Sequence, residues 1–76
     1  MSRAVVVRVC QGCAWRVLRV LEAAGYAIQG LRHEAGSTQT AILVRSPTGA
    51  AIEPSSVQSA VWDDIPGISC QVDPHA

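Results

Sequence analysis

Apolar and polar positions alternate along the chain with two periods, and the switches between them mark its elements. Ala4 to Val9 is nearly continuously apolar apart from Arg8 and reads as a central strand with both faces covered. From Ala14 to Ala24 the period lengthens. Ala14, Val17, Leu18, Leu21 and Ala24 recur at helical spacing, with Arg16, Arg19 and Ala23 on the opposite face. Gly25 follows where a helix end needs a left-handed residue. Tyr26 to Glu34 reads as a second strand in which Gly30 marks a bulge, and Thr38 to Arg45 as a third, built around Ala41-Ile42-Leu43-Val44. The tight Ala35-Gly36-Ser37 connection makes these two an antiparallel hairpin.

Ser46-Pro47-Thr48-Gly49 is turn chemistry, and the loop continues to Glu53. Pro54 suits a first helical turn, Val57, Ala60 and Val61 continue at helical spacing, and Pro66-Gly67 ends the helix. Ile68 to Val72 predicts a last short strand, with Ile68, Cys70 and Val72 on one side and Ser69, Gln71 and Asp73 on the other. Strand, helix, hairpin, helix, strand is an α+β order. Two right-handed crossovers around a hairpin predict a ferredoxin-like βαββαβ sandwich: one four-stranded antiparallel sheet with both helices on one face. Residues 1–76 form one domain. Val6 cannot share the helix side with Val5, Val7 and Val9, so the second face or a sheet edge is expected to meet another copy or another chain. Otherwise these short strands carry spare aliphatic residues.

Composition narrows the function. Hydrophobic residues make up 49% of the chain and charged ones 16%, which argues against a disordered tail. Six basic and six acidic side chains cancel, so no basic stripe invites a phosphate backbone and nucleic acid is not an expected partner. The run Ala4-Val5-Val6-Val7 stops at Arg8, far short of the ~20 residues of a membrane span. No direct membrane contact and a cytosolic location are therefore expected. Three cysteines, two of them in Cys10-Gln11-Gly12-Cys13, read as reduced thiols rather than a disulfide framework.

Gly12 after the first strand, the stretch Ala14-Trp15-Arg16-Val17-Leu18-Arg19-Val20-Leu21-Glu22-Ala23-Ala24-Gly25-Tyr26-Ala27-Ile28, and Ile65-Pro66-Gly67-Ile68 before the last strand together resemble ACT domains. These are the small-molecule-sensing modules of amino-acid metabolism and related regulators, and the match runs nearly end to end. The resemblance implies a homodimer, often joined edge to edge. A small ligand is then held between the first turn of one copy and the second strand of its neighbour. Cys10, Gln11, Gly12 and Cys13 would supply one side of that site, with Ala27 and Ile28 opposite. Two positions depart from the family. Cys10 stands where an acidic residue often opens the turn, and Ala27 where many members carry Asn, so groups that hold an amino acid's ammonium and carboxylate are absent.

The Cys-x-x-Cys between a strand and a helix also resembles the heavy-metal-associated domains, which use the same fold. There Cys10 and Cys13 would converge on Cu(I) or Zn²⁺, aided by the helix N-terminus. Val7-Arg8-Val9 replaces the Gly-Met-Thr usual before the first cysteine. The structural alternative is two small thiols packed at a helix start. Cys70, on the apolar side of the last strand, reads as core, with a third soft ligand as the alternative. His33 and His75 read as solvated, and Asp63-Asp64 as a solvated turn or partner contact set against the helix dipole. Trp15, off the core stripe of the first helix, is a candidate interface anchor, and Trp62 is similarly placed on the second. A third reading is an accessory subunit docked through the apolar sheet face and Trp15. With no Ser-His-Asp or Cys-His grouping, no phosphate-cradling loop and no paired carboxylates at a cleft, the chain is expected to bind rather than catalyse and to need no resident cofactor.

Overall fold

The computed structural model describes residues 3–75. Seven residues of alternating burial open the fold as strand β1, Ala4–Cys10. A single 3₁₀ turn over Gln11–Cys13 leads into helix α1, Ala14–Ala23. The hairpin strands are β2, Ala27–His33, and β3, Gln39–Arg45. Helix α2, Pro54–Asp64, and strand β4, Cys70–His75, complete the chain. All pairings are antiparallel and the strand order is β2-β3-β1-β4, so β1 and β3 are central. The result is a small α+β structure with a four-stranded sheet and two helices.

Period two decides which face of the sheet is covered. Val5, Val7 and Val9 of β1 are fully buried, as are Thr40, Ile42 and Val44 of β3. Ala14, Val17 and Leu21 of α1 pack with Val57 and Val61 of α2 over these positions, so both helices lie on one face. The even-numbered β1 residues Ala4, Val6 and Arg8 point to the other side and stay half-buried. Ile52, from the loop before α2, joins the core although no periodic pattern marks it. Buried Thr40 keeps its hydroxyl satisfied through His33, whose Nδ1 lies 2.9 Å from Oγ1. A bare hydroxyl at that depth costs roughly 1–3 kcal/mol.

Helix ends follow their backbone requirements. Tyr26 N–H donates to the Leu21 carbonyl at 3.1 Å and Gly25 N–H to that of Glu22 at 3.0 Å, the paired bonds of a Schellman cap. Gly25 supplies the left-handed residue this cap needs, at φ 97°. In β2 the register shifts between Ile28 and Gly30, placing the expected bulge on Gln29.

Some boundaries differ from expectation. β2 begins at Ala27 and ends at His33, one residue inside Tyr26–Glu34 at each end, and β3 begins at Gln39 rather than Thr38. β4 starts at Cys70 rather than Ile68 and runs on past Val72 through Pro74 to His75. Proline normally breaks a strand because it lacks an N–H. β4 is an edge strand paired only with β1, the position at which a sheet accepts proline.

Leu21→Ala is expected to cost about 3 kcal/mol by removing a fully buried side chain at the centre of α1. Gly25→Ala is expected to cost about 1 kcal/mol through its left-handed backbone. Urea midpoints of the two variants check the order.

Candidate functional site

The strand-to-helix turn is built from the end of β1. Cys10 leaves the strand in an extended conformation, φ −54° and ψ 138°, and is the N-cap of the 3₁₀ turn. Cys13 is the N-cap of α1, and neither cysteine makes a side-chain cap. Gln11 N–H donates to the Thr38 carbonyl at 2.9 Å, fastening the turn to the approach to β3. Residues three apart eclipse one another around a 3₁₀ turn, which brings Cys10 and Cys13 to the same side.

All three cysteines are free thiols, with Cys10 exposed and Cys13 and Cys70 half-buried. Burial raises the Cys13 thiol above its ordinary value of 9.0, and the Cys10 thiol, close enough to act as hydrogen-bond partner and charge, pushes the same way. Arg16 pulls against both. The net direction is opposite to that of an activated nucleophile, whose thiolate must form near neutral pH. What the pair offers instead is two accessible soft donors on one turn.

Cys70 does not join them. It pairs with Val9, on the covered face of the sheet, and its carbonyl accepts from Gln58 Nε2 at 3.3 Å. Burial raises its thiol too. Among the described residues no three of His, Cys, Asp or Glu gather where they would hold a metal ion. His33 is spent on Thr40.

The other expected ligand contacts lie far from the turn. On β3, Cys10 is level with Gln39, whereas Ala27 is level with Arg45 and Ile28 with Val44. At ~3.3 Å per residue this separates the turn from the start of β2 by roughly 20 Å along the sheet. One chain thus holds Cys10, Gln11, Gly12 and Cys13 at one end of the sheet and Ala27 and Ile28 at the other. β2 is also an edge strand, with one side free of any ladder. Its Leu31 is 47% exposed.

The uncovered sheet face carries a feature that local sequence reading misses. Arg8, on central β1, donates from Nη1 to Asp73 Oδ2 at 3.0 Å and lies 3.5 Å, through Nε, from Glu34 Oε1. This ion-pair line crosses a trough of about 340 Å³ floored by Val6, Ala41 and Leu43. The apolar residues of β1 and β3 that break the helix-side pattern thus share their face with charge. Arg8, Glu34 and Asp73 lie far apart in the chain, so only the strand register reveals them. No helix among the described residues is long and apolar enough to cross a membrane.

The raised thiols set a pH dependence. Above pH 9.0 an unfolded chain loses thiol protons that the folded chain still holds at Cys13 and Cys70, so unfolding becomes easier as pH rises. The chain has no lysine, so no ammonium side chain titrates in that window. The urea midpoint is expected to fall on the alkaline side of 9.0, and to fall less in Cys13→Ala and Cys70→Ala than in the parent.

No family model matches the chain, and no curated protein matches it in sequence.

Proposed function

We propose that this chain is an ACT-like regulatory module of the ferredoxin-like βαββαβ class that binds a small molecule as a two-fold pair. Helices after β1 and β3, both on one face of a β2-β3-β1-β4 sheet, support the fold assignment. The observation that carries the functional reading is the separation of the two expected contact segments across the sheet. A two-fold pairing of β2 with β2 of a second copy runs antiparallel. It brings the Cys10–Cys13 turn of one chain and the Ala27–Ile28 segment of the other to the same end of the joined sheet. A site split between opposite ends of one chain is thereby rejoined twice in the pair. The bulge at Gln29 interrupts the edge near its start, leaving Leu31 and its neighbours to pair.

The module acts by binding and supplies no catalytic group, in keeping with His33 committed to Thr40 and with a Cys13 thiol held protonated at neutral pH. Three free cysteines fit a reducing compartment, and the cytosol is the assignment we make.

A second reading is favoured by the thiols themselves. Cys10 and Cys13 share one side of an accessible turn and form a two-thiolate site for Cu(I) or Zn²⁺. Titration of the reduced protein with Cu(I), followed by amide NMR, separates the readings. Saturable shifts at residues 10–14 that vanish in Cys10→Ser/Cys13→Ser favour the metal carrier, and silence removes it.

Leu31→Glu tests the leading reading, because it sets like charges against each other across the paired edges. Sedimentation equilibrium is expected to show the parent as a dimer or larger assembly and the variant with the β2 pairing lost. A parent that stays monomeric at high concentration contradicts it.

A further inference from the structure

Two groups of charge sit where the backbone opposes them. Arg16 lies in the first turn of α1, and Asp63 and Asp64 close α2. A helix carries partial positive charge at its N-terminus and partial negative charge at its C-terminus, so both placements run against the dipole. Neither group is compensated locally: among the described residues Arg16, Arg19, Asp63 and Asp64 enter no ion pair, and the ion pairs formed are those of Arg8. Each group stands beside an exposed tryptophan, Trp15 at 74% and Trp62 at 46%. Trp62 is partly accounted for by its indole N–H, which donates to the Ile68 carbonyl at 3.0 Å. Trp15 stands off the buried stripe of Ala14, Val17 and Leu21 and adds nothing to the core.

The shapes complement one another as the charges do. Trp15, 74% exposed, stands out from α1 beside Arg16 and Arg19, the three bordering a shallow open recess. Farther along the helix layer, Val20 and Ala23 of α1, its C-cap Ala24 and Ala60 of α2 line a hollow of about 230 Å³ rimmed by Asp63 and Asp64. Trp15, Arg19 and Ala23 recur four residues apart and so form one outward stripe along α1, with the projection at its start and the hollow at its end. Laying α1 of a second copy antiparallel on this stripe sets the projection of each against the hollow of the other. A two-fold contact makes every such pairing twice.

We infer that the helix layer is a self-docking surface. Trp15 of one copy seats in the hollow lined by Ala23, Ala24 and Ala60 of a second, while Arg16 and Arg19 meet its Asp63 and Asp64. An exposed tryptophan flanked by arginines has the composition of an interface hot spot, and the acidic pole that matches it is carried by the same chain, whose formal net charge is zero. This surface is separate from the β2 edge and does not rest on the sensor reading. If both contacts form, the assembly is larger than a dimer.

Charge reversal with rescue tests it on the full chain. Sedimentation equilibrium of Arg16→Glu/Arg19→Glu is expected to show helix-layer association weakened by about tenfold or more, because attraction becomes repulsion across the contact. Asp63→Lys/Asp64→Lys is expected to do the same. The chain carrying all four reversals regains the association, and raised salt weakens it in the parent. All these positions are exposed, so circular dichroism is expected to match the parent throughout. A double variant that keeps the parent's association, or a four-charge reversal that fails to restore it, overturns the inference. Leu31→Glu leaves the helix layer untouched, so loss of the edge pairing and loss of this contact are read separately.

Discussion

The antiparallel pairing of β1 with β3 is the constraint on which the rest of this structure depends. Its register sets Val5 against Val44, Val7 against Ile42 and Val9 against Thr40, which builds a continuous buried floor across the centre of the sheet. Each fully buried aliphatic side chain contributes about 1.5–3 kcal/mol, and a chain of this size has few others to draw on. The two helices add Val17, Leu21, Val57 and Val61 to that floor. A slip of one residue in β1 would turn these valines outward and bring Ala4, Val6 and the Arg8 guanidinium under the helices.

The same register organises the polar side. With β1 fixed between β3 and β4, Arg8 is brought to Asp73, 65 residues away in sequence, and the two form the 3.0 Å contact that ties the edge strand's open face to the centre. Half-exposed pairs of this kind contribute about 0–1 kcal/mol each, so the network orients the face more than it holds the fold together. His33 and Thr40 show the covered-face counterpart. A polar side chain sits fully buried beside Val9 and is tolerated because the hairpin places an imidazole nitrogen against it.

Features governed by local backbone chemistry are legible in the chain as written. Gly25 ends α1, Gly30 borders a bulge, Pro54 opens α2, and the period of two in Val5, Val7 and Val9 marks the strand face. The run of β4 past Val72 is not legible, because whether a strand continues through Pro74 depends on its being central or at an edge, which only the strand order supplies. Ile52 misleads because a single loop residue carries no period. Among candidate site residues, the Cys10–Cys13 turn is recognisable from its spacing and its place between strand and helix. Its distance from Ala27 and Ile28 is not, since that follows from registers between β1, β3 and β2. That distance keeps the two segments of a single chain from meeting at one small ligand.

The most direct measurement is an intermolecular paramagnetic experiment. A nitroxide is placed on Cys10 of an unlabelled chain carrying Cys13→Ser and Cys70→Ser, and this is mixed with ¹⁵N-labelled parent protein. Only the partner's amides are then observed. Pairing through β2 predicts broadening of Ala27, Ile28 and their neighbours in the labelled copy, while its own Cys10–Cys13 turn, at the far end of the pair, stays sharp. Unchanged Ala27 and Ile28 signals in a sample that sedimentation shows to be associated would contradict the rejoined site and the sensing role built on it.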